Sequence, residues 1–191
     1  CQYYDITEKG NFEGKSIPNL IYSSLPYESI DEIKPVREKL FLYRENRVHP
    51  HKDDKILTSW NGLMIAAMAM AGRITEDDAF TEASKKAVEF IFNKLVRSDG
   101  RLLARYRDGE SNYLAYAEDY AFLTFGLIEL YETTYDTDYL KKALKLSDDL
   151  LNLFWDEKDG GLYVYGSDSE QLIMRPKEIY DGATPSANSV T

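Results

Sequence analysis

Three short stretches of the chain collect polar residues able to move protons or hold a hydroxylated ligand. The first runs through Arg47, His49, His51, Asp53, Asp54 and Lys55 and leads into Trp60 and Asn61. The second is Glu118, Asp119 and Tyr120, and the third is Asp181 followed by Ser186 and Asn188. Paired carboxyls cleave glycosides, standing about 5–5.5 Å apart for retention and about 6.5–9.5 Å for inversion. Asp119 and Asp181, if carried by packed helices about 8–10 Å apart, could span the longer gap. His49 is the third catalytic candidate, as an acid or base that titrates near neutrality. An epimerase would need such a base and an acid on opposite faces of one sugar carbon. Arg47 offers a bidentate anion clamp, with His51 and Asp54 beside it. Trp60 and Tyr120 offer stacking faces, and Asn61, Glu118, Ser186 and Asn188 complete the expected substrate-binding set.

Each of these has a plain structural alternative. Acidic residues at helix N-termini are ordinary caps and dipole partners. Glu118 and Asp119, as helix neighbours, cannot both point into one funnel. Arg47 can pair with Asp53 or Asp54, and Trp60 can be core. His49-Pro50-His51 places both rings on one side of an extended segment, which permits a metal, but no third ligand accompanies them. Neither a metal nor a cofactor is therefore expected.

These residues must be positioned by helices. Ser59–Arg73 reads as a helix that is apolar on nearly all sides, and Asp78–Val96 as an amphipathic one with Phe80, Ala83, Ala87, Phe90, Ile91 and Leu95 at helical spacing. Asp99-Gly100, Leu102–Tyr106 and Asp108-Gly109 make a hairpin signal. The order then recurs: Ala117–Thr134 is largely apolar, Asp138–Phe154 amphipathic, and Asp159-Gly160-Gly161 leads into a second strand pair at Leu162–Tyr165. Asp99-Gly100 and Asp159-Gly160 are 60 residues apart. Ser59 can cap the first inner helix, Asp136 or Thr137 the second outer one, and Thr184-Pro185 a third inner helix from Ser186. Upstream, Tyr27–Asn46 fits an amphipathic helix with Pro35 near its start. Apolar helices wrapped by amphipathic ones close into an α/α toroid, commonly of six hairpins. The expected fold is therefore all-α, an incomplete α/α toroid. Residues 1–191 hold about two and a half repeats of a single domain, with short β-hairpins between helical pairs. The inner helices share one direction, so the three polar clusters ring one mouth.

Composition narrows the function. The 191 residues carry 33 Asp and Glu against 23 Lys and Arg, a net charge of −10, which argues against a nucleic-acid partner. The exception is Lys34–Lys55, with seven basic and four acidic residues. No apolar run approaches the ~20 residues of a membrane span, so no membrane partner is expected and the expected location is cytoplasmic. The one cysteine, Cys1, leaves no internal disulfide. A start on Cys without Met suggests an excised piece, whose apolar inner face would be covered by the missing remainder of the toroid or by self-association. Gly10–Ser16 imitates a phosphate-binding loop but is one residue short. Asp156–Gly160 imitates a calcium loop but has Lys158 at a ligand position and is read as a turn.

One string carries a resemblance: Arg44-x-x-Arg47-x-His49-Pro50-x-x-Asp53-Asp54-Lys55-Ile56-Leu57-Thr58-x-Trp60-Asn61-Gly62-Leu63-Met64. Gly10–Gly14, Glu118–Ala121, Phe154-Trp155-Asp156 and Tyr180–Ser189 follow in order. Together these blocks resemble the helical part of the spermatogenesis-associated protein 20 family of thioredoxin-domain proteins. The resemblance implies a six-hairpin glycosidase-like toroid, also similar to N-acylglucosamine 2-epimerases. The thioredoxin-like domain, with its Cys-x-x-Cys, is absent from this sequence. The expected activity is glycoside hydrolase-like or sugar epimerase-like, with a small-molecule sugar as partner. The alternative is a non-catalytic interaction domain serving the thioredoxin-like domain.

Overall fold

The computed structural model describes residues 2–22, 30–170 and 172–191. They fall into two compact units, Cys1–Lys52 and Asp53–Thr191. In the first, a 3-10 turn covers Gln2–Tyr4 and α1 covers Ile30–Glu45, with Pro35 in its second turn. Residues 27–29 of the expected upstream helix lie outside the described residues. The segment that imitates a phosphate loop is a tight turn: Phe12 and Lys15 exchange backbone hydrogen bonds of 2.9 Å, with Glu13 and Gly14 at φ +49° and +73°.

The second unit carries the repeat. Its elements are β1 (Ile56–Leu57), α2 (Thr58–Thr75), α3 (Asp78–Lys94), β2 (Leu103–Arg107), β3 (Glu110–Leu114), α4 (Ala117–Thr134), α5 (Thr137–Phe154) and α6 (Ala187–Val190). The apolar helices α2 and α4 pack along each other as the inner pair. They run in the same direction, because Ser59 N–H reaches Asp119 at one end and the Thr133 hydroxyl donates to the Ala69 carbonyl, 3.0 Å, at the other. Midway the backbones touch. A Cβ on Gly62 would lie 2.5 Å from the Phe122 carbonyl carbon, and one on Gly126 would lie 2.6 Å from the Gly62 oxygen. Only glycine permits that approach.

The outer helices cover the inner pair from one side. α5 buries Ala143, Leu146, Leu150 and Phe154, a single helical stripe. On α3 and its C-cap the buried residues are Ser84, Val88 and the expected Ile91 and Leu95, while the expected Ala83, Ala87 and Phe90 are half-buried beside them. Ser84 can face the core because its hydroxyl donates to the carbonyls of Ile65 (3.3 Å) and Phe80 (3.2 Å). Caps fit the chemistry of short acceptors: Asp77 accepts from Ala79 N–H and Asp136 from Asp138 N–H.

Three local expectations are corrected. Residues 103–114 do form a hairpin, its Asp108-Gly109 turn at φ +53° and +84°, but β1 joins it to make a three-stranded antiparallel sheet. Leu162–Tyr165 forms no second strand pair; one bridge joins Trp155 to Leu162, and Val164 N–H donates instead to the Pro176 carbonyl. Ser59 does not cap α2, nor Thr184 α6. Leu57 is the N-cap residue of α2 and has no side-chain acceptor, while the Ser186 hydroxyl caps α6 by accepting from Ser189 N–H. Along α2, Trp60, Met64 and Ile74 are 64%, 55% and 78% exposed. Among the described residues no helix is long and apolar enough to cross a membrane.

Candidate functional site

The start of α4 is organised by one buried carboxylate. Asp119, in the first turn, is 2% exposed. One of its oxygens accepts from the Tyr116 N–H just outside its own helix, and the other from the Ser59 N–H at the start of α2, each at 2.8 Å. It thus satisfies free N–H groups at two helix N-termini at once. Burial pushes its carboxyl up to about 7; the backbone N–H donors pull the other way and the neighbouring Glu118 charge adds to the rise.

With Asp119 turned inward, Glu118 is directed to the other side. It lines a cavity of 520 Å³ bounded by the start of α4, the 162–164 strand-like segment, and the loop that runs from Glu178 into α6. Partial desolvation raises the Glu118 carboxyl above its ordinary range, opposed by the Ser59 hydroxyl. The walls are Tyr116, Tyr163 and Tyr180, with Glu178 as a second carboxylate. Asn188 holds the floor together: its side chain accepts from Leu162 N–H (2.6 Å) and donates to the carbonyls of Leu162 (3.0 Å) and Glu178 (2.8 Å). Below it, Asp156 accepts from Lys177, Tyr163 and the N–H groups of Lys158 and Asp159, which hold its carboxyl well below the usual range. That cluster pins the turn which positions Tyr163.

Of the expected site residues, Glu118, Ser186 and Asn188 therefore border one cavity. Asp181 stands beside it but accepts from Ser186 N–H at 2.8 Å, a bond that lowers its carboxyl. Asp54 pairs with Arg107 at 2.9 Å, and the Asn61 amide donates to the Leu57 carbonyl. The reading of Tyr120 as a stacking wall is corrected. It is fully buried, lies against Phe154, and its hydroxyl accepts from Arg101 at 2.8 Å. Arg101, itself buried, also ion-pairs with Asp168 at 2.8 Å. Trp60 is exposed on α2 and does not line the cavity. Arg47, His49 and His51 belong to the other unit and are exposed there. Arg47 lies over the Tyr43 ring, and His49 is 3.8 Å from the Glu45 carboxylate. No cluster of three or more metal-ligating side chains occurs among the described residues. Sequence reasoning missed Tyr116, Tyr163, Glu178 and Tyr180; the abundance of tyrosine around the second inner helix was the one available signal.

No family model matches the chain. Its whole length is 31% identical to human spermatogenesis-associated protein 20, and 81% of it is 35% identical to the rat protein. The resemblance to the spermatogenesis-associated protein 20 family thus holds along the whole chain. The chain spans 28% of the human relative and 21% of the rat one. Among solved structures it is similar to cellobiose 2-epimerases from Bacillus thermoamylovorans (TM-score 0.59, 14% identity) and Spirochaeta thermophila (0.57, 17%). Each match covers 84% of this chain and 46% of the epimerase. A GH76 alpha-mannanase from Bacteroides thetaiotaomicron matches at TM-score 0.51 and 19% identity, covering 75% of this chain and 45% of its own. At those identities the likeness is one of fold: the helices of an α/α toroid.

Proposed function

We propose that the chain binds a sugar in the cavity between α4 and α6 and that Glu118 is the acid–base group acting on it. The observation that carries this reading is a desolvated carboxyl that shares the lining of a 520 Å³ cleft with three tyrosines at the N-terminal mouth of an inner helix. A carboxyl held toward its neutral form can donate a proton to a glycosidic or ring oxygen. Tyrosine faces suit the apolar side of a sugar ring, and their hydroxyls suit its edges. The cellobiose 2-epimerases and the alpha-mannanase among the fold neighbours support a carbohydrate ligand. The reaction is then hydrolase-like or epimerase-like, with Glu178 as the second carboxylate.

One observation favours a second, non-catalytic reading. Asp119 and Asp181 are both committed to backbone N–H groups, which leaves fewer carboxylates for chemistry than the three polar clusters suggest. The test is thermal-shift screening of the chain, and of its longer human relative, against neutral mono- and disaccharides, followed by turnover assays on any binder. Turnover lost in Glu118→Gln with binding kept supports the acid–base role. Binding without turnover supports the second reading, and no response to any sugar overturns the sugar reading.

A further inference from the structure

A second hollow adjoins the cavity, and Tyr116 lines both. It has a volume of 400 Å³, and its charged lining is basic: Lys55, Arg105 and Arg107. Two of these cations are matched from outside the lining. Lys55 pairs with Asp53 at 3.0 Å, and Arg107 with Asp54 at 2.9 Å and Asp108 at 3.4 Å. Arg105, in the middle of β2 opposite Leu57 and Asn112, has no acidic partner among the described residues.

Its guanidinium is nonetheless held. Leu103 pairs with Leu114 and Arg105 with Asn112, so a regular strand would set Tyr113 opposite Ala104, its ring on the face away from Arg105. Tyr113 instead has φ +63°, and its ring centre lies 5.0 Å from the Arg105 guanidinium carbon. A bulky residue at positive φ is strained, and such strain gathers where geometry serves a ligand. A guanidinium fixed against a ring keeps its in-plane N–H fork free for a planar or tetrahedral oxyanion.

We propose that Arg105, aided by Lys55, forms a subsite for an anionic substituent, carboxylate or phosphate, carried by the sugar in the adjoining cavity. This rests on the sugar reading above. A ring seated against Tyr116 would project its charged group over that side chain toward the Arg105 fork.

The test is calorimetric titration of the chain with glucose, glucuronate, glucose 6-phosphate and inorganic phosphate, at low and at physiological salt. At least one charged sugar should bind tenfold or more tightly than glucose, with the preference weakened by salt. The uronate and sugar-phosphate arms distinguish the two sources of charge. Arg105→Gln should abolish the preference, Arg105→Lys should keep part of it, and Lys55→Gln should weaken it. Unchanged far-UV circular dichroism shows that each variant folds. Equal binding of glucose and the charged sugars, or a preference that survives Arg105→Gln, overturns the subsite. So does inorganic phosphate binding as tightly as the sugar phosphate. Sugar binding that depends on Tyr180 but shows no preference for the charged sugars leaves the sugar reading standing and removes the subsite alone. If no sugar binds, both fall.

Discussion

Asp119→Asn removes one of two acceptors and the charge, so its effect depends on pH in a way that tests the account of the α2–α4 junction. In the native chain both carboxylate oxygens are used, each 2.8 Å from a backbone N–H. An amide keeps one acceptor and turns an N–H₂ group toward the other donor, orphaning it. That costs about 1–3 kcal/mol. The titration works against the native side chain: its carboxyl is raised from 3.8 to about 7. The folded state therefore binds more protons than the unfolded state across that window, and the associated stability is full below 3.8 and lost as pH rises through 7. Between pH 5 and pH 7 the native chain should lose roughly 2 kcal/mol from this group, a loss the variant does not share. Asp119→Asn should thus cost about 1–3 kcal/mol at pH 7–8, where the carboxylate it replaces is ionised, and roughly 2 kcal/mol more at pH 5. Urea unfolding followed by far-UV circular dichroism at pH 5, 6, 7 and 8 measures this. A destabilisation that grows with pH would refute the reasoning, because the two backbone donors would then be holding the carboxylate ionised.

Three further outcomes follow from the packing. Gly126→Ala should destabilise by about 3 kcal/mol in chemical denaturation, near the top of the usual overpacking range, because its methyl meets the Gly62 backbone oxygen and not a flexible side chain. Arg101→Met should cost about 2–3 kcal/mol by the same assay. It orphans the Ala115 carbonyl and leaves the Tyr120 hydroxyl with the Leu102 N–H as its remaining donor, while Asp168, 38% exposed, recovers its water. The line of Trp60, Met64 and Ile74 on α2 should bind a hydrophobic dye, and the double variant Trp60→Ser, Met64→Ser should lower that fluorescence at least twofold with unchanged circular dichroism.

The repeat was readable because a turn signal recurs: Asp99-Gly100 and Asp159-Gly160 are 60 residues apart, as are Ser59 and Asp119, which bond across the inner pair. The caps Asp77 and Asp136 act within their own turns, so local chemistry identifies such residues. The cap of α2 was not readable, since its acceptor comes from Asp119 in another helix. On α3 the expected Ile91 and Leu95 are buried, but Ser84 was missed because it is polar in composition and becomes apolar in effect once the Ile65 and Phe80 carbonyls take its hydroxyl. The same limit governs the site. Adjacent helical residues point about 100° apart, so nothing local decides whether Glu118 or Asp119 faces the core. That choice follows from α2 presenting its free N–H groups to one of them. Glu178 and Tyr180 lie in a loop without periodicity, brought to the cavity by the Asn188 side chain bridging Leu162 and Glu178.

The central claim is that the cleft beside Glu118 holds a sugar. The most direct measurement is a crystal structure of the chain soaked with cellobiose and, separately, with mannobiose. The account predicts a sugar ring between Tyr116 and Tyr180, with an oxygen within hydrogen-bonding distance of the Glu118 carboxyl. A sugar bound elsewhere on the chain, with this cleft holding only water, would contradict it.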